Sequence, residues 1–381
     1  MKKMKTKKIH QHKSKDNDLS KKSSAKLKSK LSEKSMLIKS KTIVNLQQSL
    51  TENPWCAHGP TILFERVRTE KVDNKSLKYY ACSAYRDHKE CTAYFQANDD
   101  ANCNVAKEKM YKWKRVLKLD SNISRPSISK EPKYFCRDCG ELINTDLIPH
   151  KNHNLISSKE CELFLPTLNG LLISKHSSTK EAQYHFSNDT LEVLVNQFIL
   201  KDRKIRIVCV GTPRIHEKII ATKLKKRTKS VESILLDIDL RLRPIYDSCS
   251  STWGTFCHYN MFNHFFFRET EQQDYFNFLK GDEDVIIVTD PPFGGKCELI
   301  GRTLNAIKED ISKQRGIETR INIMWIFPYY MERQILQAIP EMKMSDYQVC
   351  YETKDKNGYK DGLESGNSGC RKVCSYSLSN S

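Results

Sequence analysis

Residues Val285 to Gly294 read Val-Ile-Ile-Val-Thr-Asp-Pro-Pro-Phe-Gly, and this stretch constrains the fold more than any other in the chain. Four β-branched residues in a row, Val285 to Val288, predict a strand buried on both faces, which a parallel sheet supplies. Pro291 and Pro292 have no N–H to give to a ladder. The strand must therefore stop at Asp290 and deliver its carboxylate to the sheet's carboxyl edge. Ligands of open α/β sheets bind at that edge. Phe293 follows as an aromatic plate, and Gly294 and Gly295 precede a helical pattern at Leu299, Leu304 and Ile307. Taken alone, the tetrapeptide Asp290 to Phe293 also reads as a plain strand end.

The pattern around it is α/β over residues 165–350. Leu191, Leu194, Val195, Phe198 and Ile199 recur at helical spacing. Strands are expected at Ile205 to Val210, Ser233 to Asp239, within Phe256 to Phe267, at Val285 to Thr289 and at Ile321 to Phe327. Alternation of strands with helices implies a mostly parallel, doubly wound sheet. Gly211 ends the first strand, and Asp237 and Asp239 end the second, Asp237 coming first after the apolar run. Asn260 follows the third. No G-x-G-x-x-G or Walker A loop is present, which disfavours dinucleotide or nucleoside-triphosphate binding. Asn263, His264 and Phe265 to Phe267 fit either a base pocket or plain core.

Upstream the chain changes character. Fourteen cysteines in a chain that starts lysine-rich, with no apolar leader, argue for metal sites rather than disulfides. Cys56 and His58 are followed by Cys82 and then Cys91, four ligands suited to one tetrahedral zinc in a module spanning 54–100. Cys136 and Cys139 precede His150 and His153, a second four-ligand zinc pattern spanning 132–156. Cys103, Cys350, Cys370 and Cys374 fall in no such pattern. The formal charge is +18, and residues 1–41 alone hold 15 lysines against three acids. That imbalance points to a polyanionic partner, and residues 1–50 read as a disordered Lys/Ser-rich tail. No run is apolar enough to span a bilayer, so no membrane partner is expected.

Several motifs carry resemblances. Asp290-Pro291-Pro292-Phe293 resembles the catalytic loop of S-adenosylmethionine-dependent amino-group methyltransferases. There Asp290 and the Pro291 carbonyl would accept the N–H bonds of an adenine amine, and Phe293 would stack a base taken out of its stack. Gln183-Tyr184-His185-Phe186 resembles the Gln-Tyr element of RNA adenine methyltransferases, which covers the methionine end of the cofactor. The first cysteine module, with Gly59-Pro60-Thr61 and Tyr80-Ala81-Cys82, resembles a GRF-type zinc finger.

Together with Val210 to Glu217 and Tyr259 to His264, these motifs resemble the CCHC zinc-finger-containing rRNA adenine N6-methyltransferases acting on 28S rRNA. The resemblance covers residues 54–349. It implies a Rossmann-like class I methyltransferase domain behind two zinc modules. Gln183 to Phe186, Gly211, Asp237, Asn260 and Asp290 would then hold S-adenosylmethionine. It further implies an rRNA substrate, zinc fingers packed with the catalytic domain, ribosome-assembly partners, and a nucleolar or nuclear site of work with cytoplasm as a further compartment. Family members carry a Cys/His-rich region after the catalytic domain, whereas residues 351–381 here read as a polar tail, as in a shortened form of altered activity. The alternatives are a catalytically weak zinc-finger RNA-binding protein and a DNA adenine methyltransferase.

Overall fold

A computed structural model describes residues 40–44, 50–68, 76–85, 89–97, 134–136, 141–143, 148–157, 186–199, 204–226, 231–243, 255–316, 320–351, 353–355, 358–360 and 373–377. The chain divides into two compact units, one of Met1–Ile43 with Glu65–Lys78, the other of Val44–Phe64 with Tyr79–Ser381. The first is described only in short extended stretches. Everything below concerns the second, except where strand bounds cross between them.

In chain order the amino-terminal strands are β1 (Ser40–Val44), β2 (Trp55–Cys56), β3 (Gly59–Pro60), β4 (Ile62–Arg68), β5 (Leu77–Ala81) and β6 (Tyr94–Gln96). A three-stranded sheet follows, with β7 (Tyr134–Cys136) central between β8 (Glu141–Ile143) and β9 (Leu155–Ser157). Next come α1 (Asn188–Ile199), β10 (Ile205–Val210), α2 (Pro213–Lys226), β11 (Val231–Asp237), β12 (Thr255–Asn260), β13 (Phe265–Phe266) and α3 (Glu269–Leu279). Then follow β14 (Asp284–Thr289), α4 (Cys297–Arg315), β15 (Ile321–Pro328), α5 (Glu332–Ala338) and β16 (Lys343–Gln348). The last strands are β17 (Thr353–Asp355), β18 (Gly358–Lys360) and β19 (Val373–Ser377).

The main sheet runs β13-β12-β11-β10-β14-β15-β19-β16. Neighbours from β12 through β15 pair in parallel, β13 folds back on β12, and β19 runs antiparallel to both β15 and β16. This is the doubly wound sheet that the alternation of strands and helices implies.

The central strands are buried on both sides, as their largely apolar sequences require. Val208, Val210, Ile287 and Trp325 pack on one face with α3 and α4 residues such as Tyr275, Leu304 and Ile307. Ile207, Cys209, Ile286 and Val288 pack on the other with Leu191, Leu194, Ile215 and Ile219 of α1 and α2. Each such side chain contributes about 1.5–3 kcal/mol by leaving water. α4 stops where Gly316 turns left-handed (φ +61°) and its N–H caps Ser312 O at 2.9 Å.

Three domain boundaries need correction. Residues 40–44 are a strand rather than disordered tail, because Val44 is β-branched and buries itself in the core beside Ile62. Within 351–381, β19 inserts into the main sheet instead of trailing as a polar tail, its backbone completing ladders on both sides. The segment 54–64 is no separate finger either: Ile62 shares one cluster with Tyr259 and Phe266. Residues 1–39, 98–133 and 158–185 lie outside the described residues.

Candidate active site and metal clusters

The chain leaves β10 and β14 in opposite lateral directions, toward β11 and β15, which makes their carboxyl ends the topological switch point. Val210 faces Thr289 in the ladder, so Gly211 and Asp290 emerge side by side. Gly211 is left-handed (φ +66°), and a Cβ there would lie 2.4 Å from Met261 Cε and 3.8 Å from Asp290 O. Only glycine allows both the turn and this close approach.

Beyond Asp290, Pro291 is buried and the Gly295 N–H closes the loop on Pro292 O at 2.6 Å. Phe293 stands edge-on to Phe327 and to Tyr351, at 6.4 and 6.1 Å between centroids. The Tyr351 hydroxyl donates to Asp290 Oδ1 at 3.2 Å. Burial nonetheless pushes the Asp290 carboxyl up to about 8, against the smaller lowering effect of that hydrogen bond. Phe186 stacks on Tyr351 with centroids 5.1 Å apart and planes 20° apart, joining the segment before α1 to the same mouth.

One strand over, Asp237 ends β11 almost fully buried, and its Oδ1 accepts the Asp239 N–H at 2.9 Å. Its ladder partner is His258, held neutral by burial, which takes its pKa down to about 3, and stacked on Phe267 at 3.7 Å. A glycine turn at the switch point with a carboxylate on the next strand suits a ribose-bearing cofactor.

Asn260 is different. Its Nδ2 donates to His58 O (2.9 Å) and Ser83 Oγ (3.0 Å), and its Oδ1 accepts the Phe262 N–H at 3.0 Å. Both amide hydrogens therefore tie the sheet to the first cysteine module, not to a cofactor. Asn263 adds two donations, to His58 O at 3.2 Å and Pro60 O at 2.9 Å. Phe265 meets Trp55 edge-on at 5.1 Å, and a Cβ on Gly59 would lie 2.6 Å from the Phe265 ring. The core reading of this hairpin holds over the base-pocket one.

Cys56, His58, Cys82 and Cys91 converge, as do Cys136, His150 and His153. A tetrahedral zinc with ordinary bond lengths would separate a sulfur and a nitrogen ligand by about 3.6 Å and two nitrogens by about 3.3 Å. Cys82 Sγ lies 3.5 Å from His58 Nδ1, Cys136 Sγ 3.5 Å from His153 Nδ1, and the two Nδ1 atoms of His150 and His153 lie 3.3 Å apart. Cys56 Sγ is slightly wider of His58, at 3.9 Å. In the first cluster, hydrogen bonds with Cys56 and Cys82 hold the Cys91 thiol far below its ordinary value. Burial lowers His58, but Cys82 and Cys91 outweigh it and carry it to about 9. A divalent cation suits such a crowd of donors. The residues fit zinc.

The family model "Probable N6-adenine methyltransferase" matches residues 177–365. The Homo sapiens "rRNA N(6)-adenosine-methyltransferase ZCCHC4" is 34% identical over 315 residues, 78% of this chain and 59% of that one. The Xenopus tropicalis protein of the same name is 34% identical over 317 residues, 78% of this chain and 62% of its own. The chain belongs to the N6-adenine methyltransferase family. It spans about three-fifths of the length of these curated relatives. TrmN from Thermus thermophilus aligns over 50% of this chain and 48% of its own at 7% identity, with a TM-score of 0.28, too distant to add to what the strand order establishes.

Within this methyltransferase fold the structure brings together Phe186, Gly211, Asp290 and Phe293, and sets Asp237 on the neighbouring strand. Gln183, Tyr184, His185 and Cys139 lie outside the described residues. Tyr351 was missed, because it sits in a polar segment without periodicity. Tyr329 and Tyr330 stand 51% and 66% exposed just past β15.

Proposed function

We propose that this chain methylates N6 of an adenosine in large-subunit (28S) rRNA, with S-adenosylmethionine as donor. The observation that carries the reading is Asp290 with Pro291 at the switch point, directly beside the Gly211 turn. Gly211 and Asp237, with Gln183 to Phe186, would hold the cofactor, which when bound supplies a methyl group on a positively charged sulfur. Asp290 and the Pro291 carbonyl accept the two amine N–H bonds, localising the nitrogen lone pair. The Asp290 carboxylate is also placed to take the proton that nitrogen loses, and a pKa near 8 suits that role at neutral pH. Phe293 stacks the flipped base, and Pro292 fixes the backbone.

Two structural zinc ions at Cys56/His58/Cys82/Cys91 and Cys136/Cys139/His150/His153 complete the fold. The two clusters and the Tyr329–Tyr330 pair contribute RNA contacts, the tyrosines by stacking bases that flank the target, and the lysines of residues 1–41 add charge that favours a polyanion. The reading goes with a nuclear or nucleolar site of work, cytoplasm as a further compartment, and ribosome-assembly factors as partners.

The test is incorporation of tritiated methyl from S-adenosylmethionine into separated rRNA, mRNA, DNA and protein. Label confined to rRNA and recovered as N6-methyladenosine is expected. Label in DNA alone redirects the substrate, and no label in any fraction leaves a zinc-dependent RNA-binding protein.

A further inference from the structure

We infer that Tyr351 is a positioning residue that fixes the orientation of Asp290 for the amine, held in place by the segment 186–190. This rests on the methyl-transfer reading above. Tyr351 is 5% exposed, and the contact with Asp290 Oδ1 is its hydroxyl's donation at 3.2 Å. Phe186 covers one face of its ring, and Phe293 meets it edge-on.

The backbone beside it is clamped as well. Cys350 O accepts the Ser187 N–H at 2.9 Å, and the Cys350 N–H donates to Thr190 Oγ1 at 3.0 Å. Ser187 at the same time caps α1, its Oγ accepting the Thr190 N–H at 3.3 Å. The start of α1 thus carries the tyrosine to the carboxylate.

The chemistry explains why a tyrosine belongs there. An ionised carboxylate has two oxygens and about four acceptor positions, and its plane rotates freely unless a donor fixes one oxygen. With Tyr351 on Oδ1, Oδ2 is left to accept an amine N–H. The same donation favours the charged form, which burial opposes. Among the described residues, Tyr351 is the titratable group that bears on this carboxyl; β10, α2 and β15 bring no charge that shifts it. If the ring only filled space, exchanging it for phenylalanine would leave the ionisation of Asp290 unchanged.

Tyr351→Phe keeps the ring and removes the donor. Two measurements read the result: the carboxyl ¹³C titration of Asp290 in cofactor-free protein, and the pH profile of single-turnover methyl transfer. Losing the donor raises the Asp290 midpoint, by about one pH unit for a hydrogen bond of ordinary strength to a charged group. Transfer at pH 7 then falls about ten-fold and recovers toward pH 10, because the ionised fraction falls by that factor. Thr190→Ala, which loosens the clamp on Cys350, shifts the midpoint the same way by less. An unmoved midpoint in folded Tyr351→Phe overturns the inference. Should that variant melt below the assay temperature, the Thr190→Ala midpoint decides in the same sense. If the parental chain methylates no adenosine, the methyl-transfer reading falls, while the ¹³C titration still reports whether Tyr351 governs Asp290.

Discussion

β12 and β14 reach the same carboxyl edge of one parallel sheet, the first ending in Asn260 and the second leading into Asp290. Asn260 is fully buried, with both amide hydrogens donated and its oxygen accepting a backbone N–H. Asp290 has the Tyr351 hydroxyl as its hydrogen-bond partner among the described residues, and burial lifts its pKa to about 8. A satisfied neutral amide makes a rigid joint. A carboxyl kept short of donors is held ready for a ligand that brings them. Position on the sheet edge therefore gives the opportunity, and the neighbouring module decides how it is used.

Metal removal tests the joint most severely. Structural zinc contributes on the order of 10 kcal/mol to the folding of small modules. Because His58 and Pro60 are bonded to the β12–β13 turn, chelation is expected to loosen more than the cysteine module itself. Hydrogen exchange should rise across residues 55–64, 79–96 and 259–267, while β10, β14 and β15 stay protected. Full protection at 259–267 after chelation would make the module an independent domain and dissolve the comparison.

The other end of the comparison is broken by Asp290→Asn. Exchanging a charged acceptor for a neutral amide costs about 2–4 kcal/mol of transition-state stabilisation, roughly 30- to 1000-fold in rate. Stability should move the opposite way. The folded pKa of about 8 lies above the ordinary 3.8, so the folded state binds more protons between those values. Wild-type stability from this group is greatest below pH 4 and declines as pH rises to about 8. Asn lacks that penalty, so the melting temperature of Asp290→Asn should exceed wild type by a margin that grows from pH 5 to pH 9. Glu217, also raised to about 8 by burial, is common to both chains and cancels. Parental transfer rates in the variant would reduce the loop to a strand end.

Much of this was legible in the chain itself. Val285 to Val288 announce two-sided burial through an unbroken β-branched run, Ile205 to Val210 do so through an apolar run broken only by Arg206, and two prolines mark where Asp290 must emerge. The cysteine and histidine spacings reveal the clusters because zinc geometry admits few spacings. The donations of Asn260 to His58 and Ser83 were not legible, since a polar residue at a strand end looks alike whether it faces a ligand or a neighbouring module. Tyr351 and β19 were hidden for another reason. Val-Cys-Ser-Tyr-Ser carries too little apolar contrast to declare a strand, and its stability comes from ladders with β15 and β16 far away in sequence.

Asn263 sharpens the joint without touching the metal. Its side chain is nearly buried and donates to two backbone carbonyls, His58 O and Pro60 O. Asn263→Ala leaves both without this donor, at a cost of about 1–3 kcal/mol. Thermal or urea unfolding should register that loss, and single-turnover transfer well below the melting temperature should match wild type. A loss of transfer in the folded variant would mean that the β12 side takes part in the chemistry.

The smallest expected effect tests how far the reactive side extends. Tyr329 and Tyr330 stand past the end of β15, the strand that pairs with β14, and their rings lie 5.8 Å apart, edge to face. Tyr330 is the more exposed, so its removal should disturb neither core face. A flipped adenosine leaves its neighbours without a stacking partner, and a tyrosine face replaces that partner whatever the base. Stacking on an exposed ring is worth about 1 kcal/mol at the low end, so Tyr330→Ala should raise KM for RNA roughly five-fold. kcat should hold, because the interaction is the same before and during transfer. The melting temperature should hold as well. A fall in kcat at unchanged KM would place Tyr330 against the reacting base instead of its neighbour, and an unchanged KM and kcat would confine the RNA surface to the clusters and the Asp290 loop.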